Sequence, residues 1–213
     1  MANFPNIKEA SKQSLAENNS AFNVHDNLKH LTLAELQEVS KKDQLPWHTM
    51  TINLTGDLNV GTIIRTSHLL GAASVIVVGR TKIDRRSMVG AENYIAVEKY
   101  RTVNEKFELK IEEIADIFET KKLTPIFCEA GGIALPKANW KTRIEAINLR
   151  GYQPCLVMGN ETGGIPDELL NLSTVLANSF IISVPMKGVI RSLNVAAAHS
   201  IIASHMCVTM RWM

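Results

Sequence analysis

Three segments of the sequence combine glycine with polar or charged side chains, as loops that bind a ligand usually do. They comprise residues 59–65, 158–164 and 184–195. Glycine lets the backbone approach a ligand closely, and the amide, carboxylate, hydroxyl and guanidinium groups beside it can hold polar atoms. These three segments are therefore the candidate site, and the elements around them must bring them together.

Hydrophobic patterning along the chain predicts an α/β fold. From about residue 47, short apolar runs alternate with helical periodicity, which is typical of a mostly parallel sheet flanked by helices. Ligands of open parallel sheets bind beyond the carboxyl ends of the strands, so the loops that follow strands are the candidate binding segments. The predicted strands cover residues 48–54, 74–78, 97–100, 124–128, 155–158 and 180–184. The predicted helices cover residues 60–70, 111–121, 140–147 and 193–210, with a short helix opened by Pro166.

Residues 1–45 differ from the rest of the chain. They are polar, with five lysines, no arginine and six acidic residues, so they do not form a basic arm. Thr32 and Glu35 have the spacing of a capping box, which predicts a short helix running to Lys42. We expect an N-terminal helical extension over residues 1–45, packed on the main domain of residues 46–213 or partly mobile.

Composition indicates the size of the core and the cellular compartment more clearly than it indicates the function. The chain has 213 residues, enough for one sizeable core, and 23 basic against 21 acidic residues leave the question of nucleic-acid binding to local charge. We expect no signal peptide, no membrane span and no metal site. The three cysteines are isolated, which favours a reduced, cytoplasmic compartment; they are Cys128, Cys155 and Cys207.

Several common enzyme classes lack their signatures here. The sequence has no Gly-x-Gly-x-x-Gly after an early strand, no Gly-x-x-x-x-Gly-Lys-Ser/Thr and no Gly-x-Ser-x-Gly. These absences argue against a Rossmann oxidoreductase, a P-loop enzyme and an α/β-hydrolase.

Taken together, the three segments resemble the signature motifs of the SpoU family within the SPOUT superfamily of methyltransferases. The first is similar to Asn-x-Gly-x-x-x-Arg-Thr, at Asn59, Gly61, Arg65 and Thr66. The second is similar to Gly-x-Glu-x-x-Gly, at Gly159, Glu161 and Gly164. The third is similar to Pro-Met-x-Gly-x-x-x-Ser-Leu-Asn-Val, at Pro185, Met186, Gly188, Ser192, Leu193, Asn194 and Val195. The likeness covers roughly residues 47 to 210.

The resemblance implies an S-adenosylmethionine-dependent RNA methyltransferase that methylates a ribose 2′-hydroxyl. It also implies a C-terminal trefoil knot and a homodimer that completes each active site. Transfer RNA is the preferred substrate and ribosomal RNA the next. The alternative is a non-catalytic RNA-binding or assembly protein on the same fold.

The resemblance also assigns roles to residues. It places Arg65 at the ribose hydroxyl, where a permanently protonated guanidinium is better suited to hold a phosphate and stabilise the forming alkoxide than to act as a base. Its other candidate catalytic residues are Asn59, Glu161, Ser192 and Asn194. Its candidate cofactor-binding residues are Ala130, Gly131, Gly159, Val184, Met186 and Leu193.

Structural interpretations of these residues stay open beside the functional ones. Val184 and Leu193 also suit a core, Arg65 a surface salt bridge, and Glu161 a helix N-terminus. Ser192 and Asn194 also suit the N-cap of the last helix.

A basic cluster follows the second predicted strand and is our candidate contact with the RNA backbone. It contains four basic side chains against Asp84, with a solvated loop as the alternative: Arg80, Lys82, Arg85 and Arg86. Lys187 and Arg191, beside the third motif, are further candidates for phosphate contacts.

Overall fold

A six-stranded parallel sheet forms the centre of the fold in the computed structural model, which describes residues 23–53, 55–79, 83–104 and 108–211. The strands are β1 (Leu45–Ile52), β2 (Ala72–Val78), β3 (Ala96–Tyr100), β4 (Leu123–Ala134), β5 (Gln153–Met158) and β6 (Phe180–Ser183). Their order across the sheet is β3-β2-β1-β5-β4-β6, and every neighbouring pair is parallel. The predicted α/β class with a mostly parallel sheet is confirmed.

Helices connect the strands and cover both faces of the sheet. They are α1 (Leu33–Lys42), α2 (Asp57–Leu69), α3 (Arg85–Met88), α4 (Ile111–Thr120), α5 (Trp140–Leu149), α6 (Asp167–Leu170), α7 (Leu172–Val175) and α8 (Val195–Arg211). Single turns of 3₁₀ helix lie at Asp26–Leu28, Ala91–Asn93 and Leu135–Lys137.

The two cores follow from strand alternation, because successive side chains of a strand point to opposite faces. In β2, Val75 and Val77 lie in the core shared with α2, α5 and α8. Ile76 and Val78 lie in the core on the other face, shared with α4 and α6. Burial on both faces explains why β2 is continuously apolar rather than alternating.

The strand order brings the three motif segments to one edge of the sheet. β1 lies beside β5, β5 beside β4, and β4 beside β6. Because these strands are parallel, their carboxyl ends meet on the same side, so the loops after β1, β5 and β6 are neighbours. The loop after β1 lies more than 100 residues before the other two in the sequence, and the order of the strands brings it beside them.

Some predicted bounds of helices and strands are confirmed, and others differ in the structure. The capping box at Thr32 and Glu35 forms and starts α1, which ends at Lys42 as predicted. The fourth strand is longer than predicted, continuing past an irregularity between Cys128 and Ile133. Pro166 is the N-cap of α6 rather than its first residue. Residues 1–22, the first part of the predicted extension, lie outside the described residues.

Candidate functional site

A cavity of about 550 Å³ opens at the carboxyl edge of the sheet. Residues 128–130, 158–164, 182–184 and 191–195 contribute to its wall. The second and third motif segments, with the end of β4, therefore enclose one space.

Most of the predicted cofactor-binding residues line this cavity. Those in its wall are Ala130, Gly159, Val184, Met186 and Leu193. Gly131 is instead exposed and turns the chain with a φ of +82°. The predicted residues Glu161, Ser192, Asn194 and Arg191 also line the cavity.

The carboxylate of Glu161 organises the start of α2. It accepts hydrogen bonds from the backbone N–H groups of Thr55 and Gly56, each at 3.0 Å, and from the Thr55 hydroxyl at 3.0 Å. The side-chain amide of Asn59 donates to it at 2.9 Å. The two N–H groups belong to the residues that directly precede α2, so Glu161 fixes the turn that leads into this helix.

These donors keep Glu161 ionised. Burial raises the pKa of its carboxyl, but the hydrogen bonds from Asn59, Thr55 and Gly56 outweigh it and lower the pKa to about 2. Glu161 is therefore a fixed negative charge at neutral pH and an acceptor of hydrogen bonds, not a proton donor.

Asn59 connects Glu161 to the third motif. Its side-chain oxygen accepts a hydrogen bond from Asn194 Nδ2 at 3.0 Å. The oxygen of Asn194 in turn accepts from the backbone N–H groups of Ala196 at 3.0 Å and Ala197 at 3.2 Å. Asn194 thus caps α8 and holds Asn59 at once, so its structural and functional interpretations are compatible.

The second motif forms a closed turn. Asn160 donates from Nδ2 to the carbonyl of Asn53 at 2.8 Å, and its side-chain oxygen accepts from the N–H groups of Thr162 and Gly163. A Cβ on Gly159 would lie 2.4 Å from the carbonyl carbon of Gly164. Only glycine therefore fits position 159 without moving the backbone that lines the cavity.

Glu129, which sequence reasoning missed, is a further polar residue of the cavity wall. Its carboxylate accepts from the N–H of Ala130 and from the N–H of Ile165, both at 3.0 Å. It thereby ties the irregular part of β4 to the second motif. The available signal was its position, a carboxylate directly after a buried strand at the sheet edge where ligands bind.

Arg65 lies elsewhere. It follows Asn59 by six residues on α2, which amounts to about 9 Å of rise and about 120° of rotation around the helix. Its exposed side chain lines a second cavity, of about 450 Å³, with residues of α1 and with Arg211 at the end of α8. Within one chain, the structure brings Asn59, Glu161 and Asn194 together but not Arg65.

The predicted RNA-binding cations are dispersed. Arg86 is held by Asp84, with a distance of 2.6 Å between Nη2 and Oδ2. Arg85 is exposed, and its Nε lies 3.9 Å from Glu92. Lys187 is exposed in the loop before α8. Arg80 and Lys82 lie outside the described residues.

Metal ligands and membrane-spanning helices were the two remaining features to consider in the described ranges. Among them, no three His, Cys, Asp or Glu side chains cluster as metal ligands would. None of the helices in those ranges is long and apolar enough to span a membrane.

The fold and the cavity define a class of ligand-binding α/β protein, with glycine-containing loops at the carboxyl ends of parallel strands. The model of the SpoU rRNA Methylase family matches residues 48–204. The chain belongs to the SpoU methylase family. No curated protein matches it in sequence.

Solved structures share the fold. The TrmH/SpoU tRNA modifying enzyme of A. aeolicus superposes with a TM-score of 0.61 at 19% identity, over 84% of this chain and 83% of that one. The SpoU methyltransferase AviRb of Streptomyces viridochromogenes, in complex with AdoMet, gives 0.57 at 22% identity, over 78% of this chain. The AdoMet-bound rRNA methyltransferase of Sinorhizobium meliloti gives 0.59 at 22% identity, over 80% of this chain. The chain spans 57% of the length of AviRb and 59% of that of the Sinorhizobium protein.

Proposed function

We propose that this protein is an S-adenosylmethionine-dependent RNA methyltransferase acting on a ribose 2′-hydroxyl. The observation that carries the proposal is the hydrogen-bonded chain Glu161–Asn59–Asn194. It ties residues from all three motif segments together beside a cavity of suitable size. Loops fixed to one another in this way hold a pocket in its binding geometry before the ligand arrives.

The cavity suits S-adenosylmethionine chemically. Met158, Ile182, Val184 and Leu193 provide apolar wall for an adenine ring. Position 159 has no room for a side chain, so the backbone groups there remain accessible to the polar edge of the adenine ring. Ala130 and Met186 complete the predicted set in the wall. When bound, the cofactor supplies an electrophilic methyl group on a sulfonium sulfur.

Arg65 is the residue that we assign to the ribose. The 2′-oxygen becomes a better nucleophile as its proton passes to water, and a guanidinium stabilises the negative charge that develops on the oxygen. The same group binds a neighbouring phosphate through paired N–H donors. Asn59, Glu161, Ser192 and Asn194 then act by positioning the loops around that ribose.

The position of Arg65 supports a homodimer. In its own chain Arg65 lies away from the cavity, so we propose that Arg65 of each subunit serves the cavity of the other. Exposed apolar side chains lie on the elements that such an interface would use: Leu58 and Leu69 on α2, Ile201 and Val208 on α8, and Val189 and Ile190 in the loop before it. Burying such residues against a second copy is the usual source of dimer stability.

The finer features of the proposal come from the family likeness. We propose transfer RNA as the substrate, with ribosomal RNA next, a cytoplasmic location, and a trefoil knot formed around α8. The A. aeolicus neighbour is described as a tRNA modifying enzyme, and the family model as an rRNA methylase, so both RNA classes have support.

A labelling experiment tests the function. The purified protein is incubated with transfer RNA or ribosomal RNA and methyl-labelled S-adenosylmethionine, and the product is digested and mapped by mass spectrometry. We expect one 2′-O-methylated nucleotide. Binding of both ligands without transfer would instead identify a non-catalytic RNA-binding protein, and no binding of the cofactor in calorimetry would overturn the proposal.

A further inference from the structure

The second cavity, between α1, α2 and the end of α8, has walls that the fold holds in place. Gln37 Nε2 donates to the carbonyl of Asn93 at 2.9 Å, and Ser40 Oγ donates to the carbonyl of Tyr94 at 3.0 Å. Leu36 is buried on the same helix. The helix α1 is therefore anchored on the loop after α3, and it forms one side of a space of about 450 Å³.

Two guanidinium groups line this second cavity. Arg65 comes from α2 and Arg211 from the end of α8. Both are exposed, and neither has an ion pair or a hydrogen bond to any described residue. Asp43 contributes one carboxylate to the lining, so the cations outnumber it. Such groups bind phosphate oxygens well because their N–H donors are fixed in a planar fork.

An aromatic pair lies in the same wall. The rings of His68 and Tyr94 are stacked with centroids 5.6 Å apart and planes at 29°. Burial lowers the pKa of His68, so this ring is neutral at pH 7 and adds aromatic surface rather than charge. Aromatic faces are the usual partners of unpaired nucleobases in RNA recognition.

We propose that the second cavity binds one nucleotide of the RNA substrate, with its phosphate at Arg65 and Arg211 and its base beside the His68–Tyr94 pair. This inference rests on the proposed RNA methyltransferase function. Because Arg65 is also the candidate catalytic residue, the nucleotide bound here is the methylated one or its direct neighbour. Residues 23–44 thereby acquire a role, namely one wall of the substrate site.

Two variants test the inference in the full-length protein. His68→Ala removes one ring of the aromatic pair, and Arg211→Gln removes one charge. The matched controls are His205→Ala, an exposed histidine of α8, and Arg101→Gln, an exposed arginine after β3. Affinity for transfer RNA is measured by fluorescence anisotropy at several salt concentrations, and affinity for S-adenosylmethionine by calorimetry.

We expect His68→Ala to weaken RNA binding about 5-fold or more, because base stacking on an aromatic ring contributes to affinity. Arg211→Gln should reduce the slope of log affinity against log salt by about 0.7–0.9, equal to one phosphate contact. Cofactor affinity should not change in either variant. If both variants bind RNA as the wild type does while the wild type methylates it, the inference is wrong and the proposed function stands. If the wild type binds neither RNA nor cofactor, both are wrong.

Discussion

Asn59 donates a hydrogen bond from its side-chain amide to the carboxylate of Glu161 across 2.9 Å, although 102 residues separate them along the chain. The other end of the same amide accepts from Asn194 at 3.0 Å. One side chain therefore donates to a carboxylate through its nitrogen and accepts from an amide through its oxygen. Because an ionised carboxylate can only accept, this relationship explains why the first motif begins with an amide rather than with an acid.

Asn59→Asp should break this arrangement. The new carboxylate cannot donate to Glu161, and it places a second negative charge beside the first. We expect a loss of about 1–3 kcal/mol in the free energy of unfolding, measured by urea denaturation, and weaker cofactor binding. Asn148→Asp, on the exposed face of α5, is the control. Equal stability of the two variants would show that the bond to Glu161 contributes nothing.

Gly159→Ala should close the cavity. The added Cβ would lie 2.4 Å from the carbonyl carbon of Gly164, and backbone atoms on both sides leave little room to relax. We expect cofactor affinity to fall by at least about 10-fold, with about 1–3 kcal/mol of strain from the overpacked site. Gly163→Ala, in the same loop, meets nothing within 4 Å and should bind normally. Normal binding by the Gly159 variant would place the cofactor elsewhere.

Arg65→Ala should keep cofactor binding and lose methyl transfer by about 10²–10⁴-fold, as removal of a group that activates the nucleophile does. Leu193→Arg should lose cofactor binding, because it puts a charge into the apolar wall of the cavity. The two inactive variants then report which subunit supplies Arg65.

A heterodimer of these two variants, purified through two different tags, should recover about half of the wild-type activity, since one of its two sites pairs an intact cavity with an intact Arg65 of the other subunit. If Arg65 served its own cavity, the heterodimer would stay inactive. A monomer in light scattering at micromolar concentration would contradict the dimer itself.

The free energy of unfolding should decrease as the pH decreases, because of His199. Its ring is fully buried and bonds through Nε2 to Thr49 and Ser67, at 3.0 and 3.4 Å. Burial lowers its pKa to about 3 from 6.5. Between these values the unfolded chain binds a proton that the folded chain does not, so stability is lost as the pH falls below 6.5.

The expected loss is about 1.4 kcal/mol for each pH unit below 6.5, or about 2 kcal/mol by pH 5. His199→Gln keeps a hydrogen-bonding side chain without a titrating ring and should not show this component. Denaturation at pH 7, 6 and 5 measures it, with His205→Gln on the exposed face of the same helix as the control. Parallel pH profiles for wild type and His199→Gln would contradict the assignment.

We expect Arg85 and Arg86, in the cluster after β2, to contribute less to RNA binding than two free cations would. Because Arg86 is held by Asp84 at 2.6 Å, Arg85 is the more available cation. Replacing Arg85 and Arg86 by Ala should flatten the salt dependence of RNA binding by about one phosphate contact rather than two. Cofactor affinity is the internal control. An unchanged salt slope would identify the cluster as a solvated loop.

The sequence alone determined what depends on neighbours along the chain. The continuous apolar run of β2, the capping box at Thr32 and Glu35, and the glycine-bearing loops after strands were all readable, because burial periodicity and helix capping act over a few residues. From these patterns came the α/β class, the position of the site at strand ends, and the three motifs.

Only the tertiary structure decided which of those residues meet. The placement of β1 beside β5, and of β4 between β5 and β6, brings Glu161 to the start of α2 and Asn194 to Asn59. It also makes Glu129 part of the cavity wall and turns Arg65 toward a different space. Strand order and helix rotation arise from packing between segments that are distant in the sequence. A local sequence pattern predicts which face of a helix or strand is apolar, but it does not specify the element against which that face packs.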